Sequence, residues 1–297
     1  MDPRLPFLIR LHLGAHRATL LLERLARELL DAVAWAWTRP DRRDAVTGAV
    51  YARAPTYLRG GEAFGRGLAS WELDGLGRPE WPDAGRVLVC GAGGGREVLA
   101  LAIRGYVVRA FEPLPSFVAA CAEECRLAGV ATCLEGSYAD LVEAVRHGSG
   151  PLAPLAVGPV FDAVLLGWAS LAHVTEPERV EAVLEAVQRL CPRGPVFTSF
   201  YTADSVGMAT GRARRLGEVL GRIFSAMGAP GRRPERGVFH PRGGFLLTSS
   251  AEELAEMAGR HGYRVAAVST LAPQPWALLV PEAAGDAIKP PGPRGAL

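Results

Sequence analysis

Residues 87–97 are an apolar run that ends in a glycine-rich turn, and they read Val87-Leu-Val-Cys-Gly91-Ala92-Gly93-Gly-Gly-Arg96-Glu97. The apolar run has the length and composition of a buried strand, and the segment after the turn has the pattern of a helix. Glycines are needed where a chain turns tightly and where its backbone approaches a ligand without an intervening Cβ. Free N–H groups at a helix N-terminus favour an anion or a carboxylate. We therefore expect a ligand-binding unit of strand, turn and helix here.

A carboxylate follows at the end of the next predicted strand. This residue, Glu112, lies seventeen positions after Gly95 and precedes Pro113. A carboxylate at the end of the second strand can accept two hydrogen bonds from a ribose diol. The glycine turn and Glu112 together predict that the chain binds a nucleoside cofactor.

The spacing of the glycines distinguishes two classes of nucleoside cofactor. The dinucleotide fingerprint G-x-G-x-x-G, begun at Gly91, requires a glycine at position 96, where the chain has arginine. The sequence instead has G-x-G-x-G before the helix. This spacing argues against a pyrophosphate-bearing cofactor such as NAD.

Short apolar runs alternate with helical segments from residue 86 onward, and this alternation predicts a mostly parallel sheet. The expected strands are Arg86–Cys90, Tyr106–Phe111, Val130–Leu134, Phe161–Leu166, Pro195–Phe200, Tyr263–Ser269 and Trp276–Val280. The expected helices are Glu97–Arg104, Ser116–Ala128, Tyr138–His147, Glu176–Leu190 and one from Ser250 to His261. Capping boxes are predicted at Thr175-x-x-Glu178 and Ser250-x-x-Glu253.

In motif order and spacing, residues 85–281 resemble the class I family of S-adenosylmethionine-dependent methyltransferases. The resemblance implies a Rossmann-like, seven-stranded, mostly parallel sheet that closes with a C-terminal antiparallel hairpin. It also implies that S-adenosyl-L-methionine is the cofactor. Gly91, Ala92 and Gly93 match the loop that wraps the methionine part in this family, and Glu112 with Pro113 matches the ribose-binding position.

Other motifs of the resemblance give further cofactor-binding candidates. Ser137 and Tyr138 stand at the family's adenine-contacting turn, where many members have aspartate; Ser137 is equally well explained as the N-cap of the next helix. Gly167 and Trp168 end the fourth strand, which in this family borders both cofactor and substrate. Trp168 is expected to contact the cofactor, with plain packing as the alternative.

Two residues are candidates for catalysis. His173 follows the fourth strand, and its ordinary pKa suits proton transfer near neutral pH. The alternative for His173 is a structural role in the loop. Tyr201 follows the fifth strand, and we expect it to line the acceptor pocket. No metal site is expected, because His12 and His16 have no further ligand at suitable spacing.

Three regions are expected along the chain: an N-terminal helical cap over 1–80, the catalytic domain over 81–281, and a loose tail over 282–297. An amphipathic helix is predicted over Ala18–Trp37; because acidic and basic residues share its polar face, we expect it to pack within the protein rather than to bind a membrane. Residues 205–245 form an arginine-rich insertion. The insertion is interpreted either as part of an anionic acceptor site or as a solvated segment.

Composition restricts the environment and the partners. The chain has 297 residues, a formal charge of +2 and 49% hydrophobic residues, which is typical of a globular protein and does not favour nucleic acid as a partner. Five cysteines without a C-x-x-C motif indicate reduced thiols, and the start of the chain lacks a signal-peptide pattern. We therefore expect a cytoplasmic location and a small-molecule substrate. The oligomeric state stays open.

The sequence thus predicts methyl transfer from S-adenosylmethionine to an oxygen or nitrogen atom of a small molecule. The enzymatic alternative is an NAD-dependent oxidoreductase. The other alternative is a catalytically inactive scaffold that binds S-adenosylmethionine, because a fold does not guarantee an activity.

Overall fold

The computed structural model describes residues 6–128, 132–208, 211–271 and 273–282. Its helices are α1 (Phe7–Trp37), α2 (Arg43–Tyr51), α3 (Glu62–Gly65), α4 (Ser70–Leu76), α5 (Arg96–Ile103), α6 (Pro115–Ala128), α7 (Tyr138–His147), α8 (Ala153–Ala156), α9 (Pro177–Leu190), α10 (Gly211–Ala226) and α11 (Ala251–Arg260). Its strands are β1 (Arg86–Cys90), β2 (Val107–Glu112), β3 (Thr132–Glu135), β4 (Ala163–Leu166), β5 (Val196–Ser199), β6 (Gly237–His240), β7 (Gly244–Leu247), β8 (Tyr263–Ser269) and β9 (Trp276–Pro281). The predicted tail lies outside the described residues except for residue 282.

The chain divides into two compact units. The first comprises residues 1–51 and 203–248, and the second comprises 52–202 and 249–297. The expected boundary near residue 80 falls inside the second unit, because the segment from 52 onward packs with the sheet. The expected insertion over 205–245 falls within the first unit.

The second unit contains a seven-stranded sheet in the order β3-β2-β1-β4-β5-β9-β8. The pairs among β1 to β5 are all parallel, whereas β9 runs antiparallel to both β5 and β8. The expected fold class, with its antiparallel C-terminal hairpin, is therefore confirmed. The carboxyl ends of β1, β2 and β4 lie side by side, with Cys90 paired to Phe111 and to Leu166. Ligands of open parallel sheets bind at this edge.

Both faces of the sheet are covered, which explains its nearly continuous apolar strands. One buried cluster joins the sheet to α7, α9 and α11 through residues such as Leu141, Leu184 and Leu254. The cluster on the other face joins it to α4, α5 and α6 through Trp71, Leu101 and Cys121.

Most predicted elements are confirmed within two residues, and two local predictions are wrong. Helix α9 begins at Pro177 with Glu176 as its N-cap, so Thr175 does not form the predicted capping box. Proline is favoured in the first helical turn because it lacks an N–H to satisfy there. The capping box at Ser250 and Glu253 is confirmed. Helix α1 begins at Phe7 rather than at Ala18, since no proline or cap interrupts the apolar pattern after Pro6.

The first unit consists of α1, α2, α10 and the hairpin of β6 and β7. Its core is built on Trp35, whose ring meets Phe245 edge-on at 4.8 Å and lies beneath the Arg43 guanidinium at 4.6 Å. The buried carboxylates of Glu28 and Asp31 both face Arg233, at 2.8 and 3.3 Å. Burial raises the pKa of Asp31 to about 6, although Arg233 opposes the shift.

The arginine-rich segment supplies part of this internal structure. Arg233 is nearly buried between the two carboxylates, and Arg214 donates to the main-chain oxygen of Glu235. The side chain of Arg212 lies outside the described residues. Arg215, Arg222, Arg232, Arg236 and Arg242 are exposed.

Candidate functional site

The glycine turn after β1 has the backbone conformation that its sequence predicts. Gly91, Gly93 and Gly95 have φ values of 69°, 53° and 93°, which favour glycine. A Cβ on Gly91 would lie 2.8 Å from the Cβ of Ser170, so this position is closed by protein. A Cβ on Gly93 would meet no heavy atom within 4 Å. The turn therefore packs tightly at its start and opens at Gly93.

Glu112 connects the end of β2 to this turn. One carboxylate oxygen accepts the Gly93 N–H at 2.9 Å, and the other accepts the Leu114 N–H at 3.1 Å. The side chain is 5% exposed. Burial raises the pKa of Glu112 to about 7, although both hydrogen bonds oppose the shift. The glycine turn and the carboxylate, which the sequence predicts to bind one cofactor together, are thus in direct contact.

Arg96, the first residue of α5, binds the segment that precedes the sheet. Its guanidinium donates to both oxygens of Glu72 at 2.6 and 2.7 Å and to the main-chain oxygen of Gly67 at 2.5 Å. It also contacts Glu97 and lies 5.5 Å from the ring centre of Trp168. Burial raises the pKa of Glu72, and Arg96 opposes that shift. Sequence reasoning missed this role, because it used residue 96 only to reject the dinucleotide fingerprint.

The segment before α4 crosses the glycine turn. A Cβ on Gly94 would lie 2.3 Å from the main-chain oxygen of Tyr57, so only glycine fits there. Arg59 holds Glu124 of α6 with two hydrogen bonds of 2.5 Å, and the Tyr57 ring lies 6.3 Å from Phe117. We call residues 55–76 the strap; it is fixed to both helices that follow the first two strands.

Trp168 is the centre of an aromatic group. Its ring lies 6.3 Å from Tyr57 and 5.9 Å from Trp71, and Trp71 stacks on Phe197 of β5 at 5.9 Å. The indole N–H donates to Gln274 at 2.9 Å. Trp168 thus has both packing and polar partners in the protein, and its predicted cofactor contact stays a prediction.

The chain after β4 forms a tight turn and a short 3₁₀ helix, Ser170–His173. Ala169 has a φ of 48°, uncommon for a residue other than glycine, and its N–H donates to the buried Ser199 hydroxyl at 2.8 Å. A Cβ on Gly167 would lie 2.4 Å from the main-chain oxygen of Gly91. Half-buried His173 ends this 3₁₀ helix, at the edge of the sheet where ligands are expected.

Ser137 and Tyr138 occupy the turn after β3. Ser137 caps α7, since its hydroxyl accepts the Asp140 N–H at 3.3 Å while Asp140 accepts the Ser137 N–H at 2.8 Å. The Tyr138 hydroxyl contacts the Ser170 hydroxyl at 2.6 Å, and its ring meets Phe111 edge-on at 5.5 Å. The N-cap interpretation of Ser137 is therefore correct, and an additional adenine contact is left as a prediction.

Tyr201 follows β5 and is half-buried. Burial, reinforced by the nearby Tyr57, raises the pKa of Tyr201 to about 12. Its main-chain oxygen accepts the Ser249 N–H at 2.8 Å, which fixes this turn to the chain before α11. Tyr201 therefore keeps its phenolic proton at neutral pH.

The candidates thus lie on the turns that follow β1 to β5, except that Pro113 is placed only by its position after Glu112. Among the described residues, no group of three or more metal-ligating side chains could hold a metal ion. Within the same ranges, no helix combines the length and hydropathy of a membrane span.

The order of the strands in this sheet, with an antiparallel hairpin at its end, is that of the class I methyltransferase fold. The chain is similar in fold to the PH0226 protein from Pyrococcus horikoshii OT3, with a TM-score of 0.52 and 16% identity over 78% of this chain and 98% of that one. At this identity the likeness concerns the fold.

Two other solved structures are similar over comparable lengths. One is 1,6-didemethyltoxoflavin-N1-methyltransferase from Burkholderia thailandensis, solved with S-adenosylhomocysteine: TM-score 0.49, 16% identity, 83% of this chain and 92% of that one. The other is CalS10, an amino pentose methyltransferase from Micromonospora echinaspora, solved with S-adenosylmethionine. Its TM-score is 0.48, with 17% identity over 74% of this chain and 95% of that one. No protein-family model and no curated protein sequence matches the chain.

Proposed function

We propose that this protein binds S-adenosylmethionine at the glycine turn and transfers its methyl group to an oxygen or nitrogen atom of a small molecule. The observation that carries the proposal is the contact between Glu112 and Gly93. It fixes the carboxylate beside the one glycine of the turn whose Cβ position is open to solvent or ligand.

The residues present fit this cofactor. A carboxylate can accept about four hydrogen bonds, and Glu112 uses two of them on main-chain N–H groups. The remaining capacity suits a ribose, which has two neighbouring hydroxyl donors. Gly93 leaves room for a ligand against the main chain, as the methionine part would require.

The same residues disfavour a dinucleotide. The third glycine of that fingerprint would stand at position 96, where it allows the helix to approach the strand closely. Here a buried arginine fills the position, and two carboxylates hold it in place. A pyrophosphate would have to compete with Glu72 and Glu97 for that guanidinium.

The bound cofactor would supply a methyl group on a sulfonium, which is a strong electrophile. The chain must then orient the acceptor and exclude water. We assign Tyr201 to positioning, because its phenol keeps its proton and can donate a hydrogen bond to an acceptor oxygen or nitrogen. We assign His173 as the base that removes the acceptor's proton. The aromatic group around Trp168 would shield the site from water.

Calorimetry with S-adenosylmethionine, S-adenosylhomocysteine and NAD tests the cofactor. We expect binding of the first two in the micromolar range and none of NAD, and Glu112→Ala should abolish the binding. Tight binding of NAD alone would refute the proposal. A labelled-methyl assay with fractionated small-molecule extracts tests the activity. Saturable cofactor binding without transfer to any fraction would instead support a scaffold.

A further inference from the structure

The first helix has a long apolar seam whose residues are exposed, except for the half-buried Leu25. Leucines and alanines recur at alternating spacings of three and four residues: Leu8, Leu11, Ala15, Ala18, Leu22, Leu25 and Leu29. This is the a and d pattern of a coiled coil, sustained over three heptads. Four of these leucines, Leu8, Leu11, Leu22 and Leu29, are 72%, 58%, 65% and 44% exposed.

The exposed part of the seam precedes the stretch through which α1 packs in its own unit, and the next heptad positions of the seam, Ala32 and Ala36, belong to that stretch. The residues of α1 that are buried there are Glu28, Asp31, Ala32, Trp35 and Ala36. All of them lie in the last third of the helix. From Phe7 to Arg27 every residue is exposed or half-buried, so about 30 Å of helix has an uncovered apolar side.

We propose that this seam is the dimer interface of the protein, and that its occupant is α1 of a second copy. The heptad positions beside the seam favour a copy of the same helix, because they are nearly free of charge. On one side they are Phe7, Gly14, Leu21 and the buried Glu28, and on the other they are His12, Thr19, Ala26 and Val33.

Three arginines of α1 lie away from the seam. Arg10, Arg17 and Arg24 recur every seven residues, so they share one stripe on the polar side of the helix. Two copies joined through the seam would keep these stripes apart from each other. Small side chains at Ala15 and Ala18 would let the two helices approach closely at the middle of the seam.

The size of the seam also suits a dimer. Leu8, Leu11, Leu22 and Leu29, with Phe7, Leu21 and Val33 beside them, expose on the order of 700 Å² of surface per copy, against about 800 Å² per partner in an interface of standard size. A self-complementary patch used by both copies is the usual basis of a twofold dimer. The inference does not depend on the proposed methyl transfer.

Sedimentation equilibrium of the full chain tests the proposal. We expect a dimer, and we expect Leu11→Glu with Leu22→Glu to make the protein monomeric. The matched control is Ile9→Glu with Leu20→Glu, which places the same charges at exposed positions of the same helix outside the seam. It should leave the dimer intact. A monomeric wild type at about 100 μM, or equal loss of the dimer in the control, would overturn the proposal.

A second variant tests the interface with substitutions that should not disturb folding. Leu11→Ala with Leu22→Ala keeps two strong helix formers, so circular dichroism should not change, while the dimer dissociation constant should rise about a hundredfold or more. An unchanged constant in a folded variant would refute the interface. Flotation with vesicles of phosphatidylserine and phosphatidylcholine tests whether the seam binds a membrane instead of a second copy. Binding of a monomeric wild type to these vesicles, lost in the seam variant, would assign the seam to a membrane and also overturn the proposal.

Discussion

Arg96 and Glu72 form a bidentate ion pair in which the guanidinium donates at 2.6 and 2.7 Å to the two carboxylate oxygens. Both side chains are almost fully buried, at 6% and 1% exposure. Paired hydrogen bonds between charged groups are strong and fix both orientations. This pair joins the strap to the first turn of α5, which begins directly after the glycine turn. Arg96 therefore fixes the strap to α5, as Arg59 fixes it to α6.

Replacing this arginine should destabilise the second unit strongly. Arg96→Met would leave Glu72 and Glu97 buried without their cation, and breaking a buried ion pair costs about 3–5 kcal/mol. Urea denaturation would measure the free energy of unfolding. As a control, Arg126→Met removes an exposed ion pair with Glu123 and should leave the free energy of unfolding nearly unchanged.

A double variant separates the pair from the packing of the arginine. Glu72→Gln with Arg96→Met removes one of the two stranded charges, so it should lose less stability than Arg96→Met alone. If the double variant loses as much free energy of unfolding as the two single variants together, the ion pair is not the source of the destabilisation.

Substitutions at Gly93 can be compared with substitutions at Gly148, because both glycines have a similar backbone conformation. Gly93 and Gly148 have φ values of 53° and 65°, and a Cβ on either would meet no heavy atom within 4 Å. Alanine at either position should therefore destabilise the protein to a similar extent, about 1 kcal/mol. Only Gly93→Ala should weaken S-adenosylhomocysteine binding, by about tenfold or more, and Gly93→Val should abolish it, because only this position opens at the proposed cofactor site. Calorimetry on both alanine variants measures the difference, and an equal effect on affinity would show that Gly93 does not contact the cofactor.

The sequence predicted the parts of the fold and site that depend on local patterns. The glycine turn, Glu112 at the end of β2 and the capping box at Ser250 are each set by a few neighbouring residues. The partner of Arg96 could not be predicted, because Glu72 lies 24 positions earlier and reaches it only through the tertiary fold. The predicted start of α1 at Ala18 was too late, because the apolar spacing of the helix continues before Ala18 back to Phe7.

The raised pKa of Glu112 gives stability a defined pH dependence. In the folded protein this pKa is about 7, against an ordinary value of 4.5. The folded state therefore binds more protons between these values, so the contribution of Glu112 to stability is full below pH 4.5 and is lost as the pH rises to 7, by about 3 kcal/mol at most. Glu112→Gln should reduce the slope of unfolding free energy against pH in this window. An identical slope in the variant would assign the dependence to another group, such as Asp31.

The protonation of Glu112 should also control the affinity of the protein for its cofactor. Ribose hydroxyls donate to a carboxylate, so affinity for S-adenosylhomocysteine should rise as the pH increases through about 7 and level off above it. Calorimetry between pH 5.5 and 8.5, with circular dichroism to confirm folding, would follow this curve. An affinity that falls over the same range would mean that the protonated carboxyl is the binding form, contrary to the assignment of Glu112.

His173 is the residue whose replacement should separate turnover from cofactor binding. Because it ends the 3₁₀ helix after β4 and is half-buried at the ligand edge of the sheet, His173→Ala should lower kcat by about a hundredfold or more if it removes the acceptor's proton. The dissociation constant of S-adenosylmethionine should change by about threefold or less, since the glycine turn and Glu112 are untouched. His147→Ala, at the exposed end of α7, is the matched control and should affect neither quantity. Loss of binding and turnover together would show that His173 holds the loop in place instead of acting as a base, and a kcat equal to that of the wild type would exclude it from catalysis.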